Sequence, residues 1–242
     1  MSDIITPDQT PGSMPPSAPR KRSMLSWASG LVAVAVIVGA AYWYIQNQGT
    51  FNDLTLQEIE KLGPDEQRIE LEKQLKDYEQ RAANLPADAT ISNKYLVYIK
   101  LAELQNRLEK YGDAIASIDK IAEQRQDNSR IWYSYAVSYQ GIRNIPKAKE
   151  NIQKALAISD ETPEYWQVYL DVSQDIPAGD LEKLYAEAVA KTANDLEIVK
   201  SYARFLEKIG NKEKAIGYWE TARNINPDGA GEYDAEIARL RS

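Results

Sequence analysis

Hydrophobic and polar positions follow a helical period along most of this chain. Between residues 65 and 84, Leu71, Leu75, Tyr78 and Ala82 stand at i, i+4, i+7 and i+11, with charged residues nearly everywhere else. That spacing places one apolar stripe on a helix. Gly63-Pro64 precedes it, and proline suits a first helical turn because its missing N–H would be unpaired there anyway. Upstream, Thr55-x-x-Glu58 has the spacing of a capping box and predicts a short helix over 53–62. Near the C-terminus, Tyr233, Ile237 and Leu240 give one inward face to a helix over 232–241.

One stretch has a different pattern. Leu25 to Ile45 contains no charged residue, with Trp27 at one end and Tyr42-Trp43-Tyr44 at the other. About 20 helical residues span a hydrocarbon core of about 30 Å, and aromatic rings favour both interfaces. Arg20-Lys21-Arg22 directly precede the stretch, whereas residues 46–60 carry Asp53, Glu58 and Glu60 without Lys or Arg before Lys61. The basic flank stays in the cytoplasm, so the C-terminal bulk is expected outside it. The alternative is a cleaved signal peptide with Val38-Gly39-Ala40 as the cut. An apolar stretch longer than the usual ~7–15 residues speaks against it.

Beyond residue 94 a longer period emerges. With Ser129 as position 1, Trp132, Tyr135, Ala136, Tyr139, Ala148, Ile152 and Ala155 fall at 4, 7, 8, 11, 20, 24 and 27. Starting from Tyr95, Tyr98, Leu101, Ala102, Tyr111, Ala114 and Ile118 fall at 4, 7, 8, 17, 20 and 24. Starting from Leu196, Tyr202, Ala203, Leu206, Gly210, Ala215, Trp219, Ala222 and Pro227 fall at 7, 8, 11, 15, 20, 24, 27 and 32. Residues 163–195 make a unit one residue short, with Trp166, Tyr169 and Leu170 on a first helix and Leu181, Tyr185 and Ala188 on a second. Small residues at 8, 20 and 27 let antiparallel helices approach closely, and large ones fill the space around them.

This pattern resembles the tetratricopeptide repeat, a helix–turn–helix unit of about 34 residues. The resemblance implies an all-α fold, a solenoid of about four repeats (95–128, 129–162, 163–195 and 196–229). Linker and N-terminal cap helices would occupy 46–94, and a C-terminal cap helix 230–242. Before them would come a transmembrane helix over 24–45 and a disordered Pro-rich cytoplasmic tail over 1–23. In this family the first helix of each unit lines a concave groove through positions 2, 5, 9, 12 and 13. Carried over, those positions include Ile99, Glu103 and Arg107 in the first unit, Tyr133, Val137 and Gln140 in the second, Gln167 and Asp171 in the third, and Lys200 and Arg204 in the fourth. Leu96, Asn106, Arg130, Gly141, Glu164, Gln174, Asp175, Glu197, Glu207 and Lys208 complete the set. Family members that clamp a C-terminal carboxylate use Lys and Asn at positions 5 and 9. Ile99 and Glu103, then Tyr133 and Val137, occupy them here, which argues against such a clamp.

Composition narrows the chemistry. The 242 residues include no cysteine and no histidine. Disulfides, thiolate nucleophiles, imidazole metal sites and Ser-His-Asp triads are therefore excluded. The net charge is −7, and an acidic chain is poorly matched to nucleic acid. Most of the fifteen Tyr and five Trp residues are expected to fill the repeat core. Asp175/Asp180 and Asp195/Glu197 lack a spacing that specifies a metal or an acid–base pair, and there is no Gly-rich phosphate loop. No cofactor, metal, catalytic residue or small-molecule substrate is expected, and the chain is not read as an enzyme. The expectation is a single-pass protein of the cytoplasmic membrane whose repeats, periplasmic or extracellular, hold a protein or peptide partner, in a translocation, envelope or pilus assembly type of role. The other expectation is a self-assembling structural subunit of a larger secretion or pilus machine.

Overall fold

Thr55 fixes the first turn of the described residues. Its N–H donates to the Glu58 carboxylate at 2.7 Å, and the Glu58 N–H donates back to the Thr55 hydroxyl at 3.3 Å. The box closes on a single turn, α1 (Leu56–Ile59), rather than a helix over 53–62. Ile59 is drawn into the interior at 1% exposure, and the chain then leaves through short-range turn bonds at Lys61 and Leu62. In the computed structural model the described residues are 54–242, which form one unit. The predicted tail, the predicted transmembrane helix and the start of the linker lie outside them. Among the described residues no helix is long and apolar enough to cross a membrane, and none forms a strand.

Helix α2 (Pro64–Ala83) begins at Pro64 and lays Leu71 and Leu75 against Ile59, Leu101 and Leu104, with Tyr78 and Ala82 alongside. Gln74, 1% exposed, donates from its amide to the Leu54 carbonyl at 2.9 Å. Helix pairs follow: α3 (Ile91–Arg107) with α4 (Tyr111–Asp119), α5 (Ser129–Gly141) with α6 (Ile145–Ile158), α7 (Pro163–Asp171) with α8 (Ala178–Lys191), and α9 (Leu196–Lys208) with α10 (Lys212–Ile225). Helix α11 (Ala230–Arg241) covers the last pair through Tyr233, Ile237 and Leu240.

The alanines show why the pairs close. Ala102, Ala114, Ala136, Ala148, Ala155, Ala203, Ala215 and Ala222 all have 0% exposure. Each sits where a larger side chain would hold two helices apart. Around them pack Ile118, Ile131, Ile152, Ile198, Leu206 and Trp219. The aromatic rings expected in the core are there: Tyr135, Trp166 and Trp219 are buried, and Trp132 and Tyr139 are partly so. Two indoles are also tied to backbone six residues upstream. Trp132 Nε1 donates to the Gln126 carbonyl at 2.9 Å, and Trp166 Nε1 to the Asp160 carbonyl at 2.6 Å.

Three of the four pairs share one turn. Glu109, Arg143 and Gly210, all at position 15, have φ of 59°, 60° and 81°. The next residue's N–H reaches back five residues: Lys110 to Gln105 at 2.7 Å, Asn144 to Tyr139 at 2.8 Å and Asn211 to Leu206 at 2.8 Å. This is the left-handed cap that ends a helix by satisfying its last carbonyls. Asn144 and Asn211 then cap the following helix, accepting from Lys147 and Lys214 N–H. The third pair does not use this turn.

Candidate functional site

The first helices of successive units touch, α3 with α5, α5 with α7 and α7 with α9. Their outward residues therefore share one surface. On α5, Tyr133, Val137 and Gln140 follow i, i+4 and i+7. On α7, Glu164, Gln167 and Asp171 follow i, i+3 and i+7. Both spacings place three residues on one face of a helix. Tyr133, Val137 and Gln140 are half-buried, while Glu164, Gln167 and Asp171 are exposed.

A ring contact joins the two helices. The Tyr133 and Tyr165 rings stack at 4.9 Å between centroids, and Tyr165 also shares a hydrogen bond with Ser129 at 3.1 Å. Burial raises the Tyr133 phenol above its ordinary pKa, and the Glu164 carboxylate adds to the shift. Farther along, the Gln140 side chain lies beside the Asp171 carboxyl. Asp171 is exposed by area, yet surrounding protein crowds its carboxyl. That burial raises its pKa and outweighs the neighbouring Gln140 amide, which pulls the other way.

The remaining predicted groove residues divide. Glu103 stays on this surface and binds Arg130 of the next unit at 3.1 Å, with Lys100 at 3.8 Å. Lys200 is held by Glu197 at 3.0 Å. Arg204 folds back over the Trp219 ring of its own unit, 5.7 Å from the centroid. Ile99 is a correction: at 7% exposure it packs with Ala102, Ile118 and Ile131 inside the core. An aliphatic side chain gains about 1.5–3 kcal/mol by full burial, and it is Leu96, 59% exposed, that faces out from this helix. Arg107 is a second correction, since it reaches Glu60 at 3.0 Å and ties the first unit to the N-terminal turn. Gly141 is a third. A Cβ there would lie 2.4 Å from the Tyr111 ring, so its missing side chain makes room for the first unit's second helix.

Sequence spacing did not reveal Tyr165. It lies one residue from the nominal groove positions and is itself buried at 8% exposure, where its ring backs that of Tyr133. Asn106, placed in the groove by position, instead bridges units: Ser138 Oγ donates to its Oδ1 at 2.8 Å, and its amide donates to the Ser134 carbonyl at 3.4 Å. Among the described residues no three acidic side chains gather as a metal would require. The face offers stacked rings, amides and carboxylates, which suit contact with another chain.

No family model matches this chain, and no curated protein does. Solved structures resemble it. A MamA protein is 16% identical, with 68% of this chain and 87% of that one covered and a TM-score of 0.53. TTC0263, a TPR protein of Thermus thermophilus, is 14% identical, with coverage of 71% and 90% and a TM-score of 0.53. A tetratricopeptide repeat protein from Parabacteroides merdae is 16% identical, with coverage of 72% and 68% and a TM-score of 0.53. At such identities the likeness concerns the fold. The described residues fold as a solenoid of the tetratricopeptide-repeat type, as the spacing of alanines and rings implies.

Proposed function

We propose that this protein is a non-enzymatic scaffold that holds a protein or peptide partner on the surface shared by α5 and α7. One observation carries the reading. Tyr133, Val137 and Gln140 of one unit and Gln167 and Asp171 of the next lie on neighbouring helix faces, joined by the stacking of Tyr133 on Tyr165, with Gln140 beside the Asp171 carboxyl. A half-buried aromatic residue beside exposed polar ones is the anatomy of an interaction surface.

The scaffold is anchored by residues 24–45 in the cytoplasmic membrane, with its repeats on the outer side, in a translocation, envelope or pilus assembly type of role. The uncharged stretch and the basic residues before it support this. Anchoring raises the local concentration of a captured partner, so modest contacts suffice. Crosslinking in cells followed by affinity capture tests the binding face. Tyr133→Glu should remove the principal partner without lowering protein abundance, and an unchanged partner set contradicts the reading. A reporter active only outside the cytoplasm, fused after Ser242, tests the orientation. Silence there, with a working cytoplasmic reporter, reverses the assignment.

A further inference from the structure

Charges on the surface formed by the first helices are unequally matched. Three of its cations are already engaged, Arg130 with Glu103, Lys200 with Glu197, and Arg204 with the Trp219 ring, while Lys208 is the exposed last residue of α9. Glu207 is likewise held, by Arg239 and by the Trp219 indole N–H at 2.6 Å. Glu164 and Asp171 differ. Among the described residues neither has an ion pair, and the Asp171 carboxyl is met by the neutral Gln140 amide. The two carboxylates stand seven residues apart on α7, about 10 Å along the helix. Between and beside them lie Gln167, Val137 and the Tyr133–Tyr165 stack.

We infer that the partner segment presents two basic side chains about 10 Å apart, with an apolar or aromatic side chain between them. The basic groups meet Glu164 and Asp171, and the apolar one rests on Tyr133 and Val137. This deepens the binding role proposed above and rests on it. The sign of the surface decides the partner's chemistry: an acidic segment would meet two carboxylates without an ion pair, because Arg130 and Lys200 are held by Glu103 and Glu197. Charge-assisted hydrogen bonds to carboxylates are the stronger kind. A cation beside Asp171 favours its charged form and so offsets the burial that disfavours it, which adds to the preference for a basic group.

The test is selection of random peptides displayed on phage against the full chain in mild detergent, followed by anisotropy titration of the selected peptides. Glu164→Gln and Asp171→Asn are isosteric changes at exposed positions. Gln167→Trp places bulk on the same face and touches neither carboxylate. The expected result is enrichment of peptides with paired Lys or Arg around an apolar residue. Their binding should weaken about tenfold in each charge variant, fall with added salt, and be blocked by Gln167→Trp. Peptides blocked by Gln167→Trp but lacking basic enrichment, or indifferent to both charge variants, overturn the inference and leave the binding face standing. Peptides indifferent to Gln167→Trp, or no peptide above background, overturn the binding face and the inference together.

Discussion

The third helix pair and its three companions solve the same packing problem differently. In the companions an alanine at position 8 and a left-handed residue at position 15 bring two helices together around one turn. In the third pair Leu170 takes the place of that alanine and is itself 2% exposed. Helix α7 is 9 residues long, against 13 in α5 and in α9. The connection from Val172 to Pro177 has no residue of positive φ, and within it Ser173 is fully buried with no hydrogen-bond partner for its hydroxyl. The left-handed turn reappears one helix later. Ala193 and Asn194 have φ of 51° and 62°, and Asn194 N–H reaches back to the Val189 carbonyl at 2.9 Å.

Packing shifts in the same direction. Helices α7 and α8 meet less than the two helices of any other pair. Helix α8 instead leans on the fourth unit through rings: Tyr185 stacks on Tyr202 at 5.3 Å and on Phe205 at 4.8 Å, and Tyr202 meets Tyr218 at 4.3 Å. Desolvation in this cluster pushes the Tyr202 phenol above its ordinary pKa. A lost residue thus need not break a solenoid. The unit shortens its first helix, moves its special turn and takes support from its neighbour, consistent with stability shared between adjacent repeats.

This contrast yields graded expectations. The largest concerns position 8. Leu170→Ala should lower stability by about 2–5 kcal/mol by leaving a cavity. Ala203→Leu, the reverse exchange in a companion pair, should also destabilise, by about 1–3 kcal/mol through overpacking. Chemical denaturation of both variants checks the pair, and a stable Ala203→Leu would show that position 8 does not govern the approach. Gly141→Ala comes next. Helix propensity alone favours alanine by about 1 kcal/mol, yet the Tyr111 ring 2.4 Å from the added Cβ should reverse the sign and lower the melting temperature.

The turns supply a smaller effect. Arg143→Gly and Glu109→Gly should each stabilise by about 0.5–1 kcal/mol, since a left-handed conformation is unfavourable for residues with a Cβ. Asp175→Gly, in the third connection where φ is not positive, should bring no gain and lose a similar amount through unfolded-chain entropy. Equal responses at all three sites would contradict the proposed difference in turns.

The smallest expectation is one of pH. Because Asp171 has its pKa raised by burial, its charged form is disfavoured in the folded chain. The penalty is absent below the ordinary aspartate value of about 3.9 and grows as pH rises through the folded pKa. Asp171→Asn should therefore be slightly more stable than the parent at neutral pH, with the advantage vanishing in acid. Paired denaturation curves across that range read the difference.

Much of the fold was legible because repeats impose composition. Buried alanines at 8 and 20 in three units, and at 27 in two of them, mark the helix crossings by their spacing. Thr55, Pro64 and the cap helix over Tyr233–Leu240 were readable from local chemistry alone. The turns were legible only at Gly210, since Glu109 and Arg143 adopt the same conformation without the residue type that signals it. The candidate face was readable as a set of positions and not as a surface. Ile99 turned inward because Ile131 of the next unit covers it, and Arg107 turned away because Glu60, distant in sequence, offered it a charge. Neither partner can be assigned from spacing within one unit.

A photo-crosslinking residue placed in the living cell at Gln167, and separately at exposed Lys183 on the second helix of the same unit, tests the central claim most directly. The account predicts a discrete protein adduct from 167 and none from 183. Adducts from 183 alone, or the same adduct from both, would contradict it.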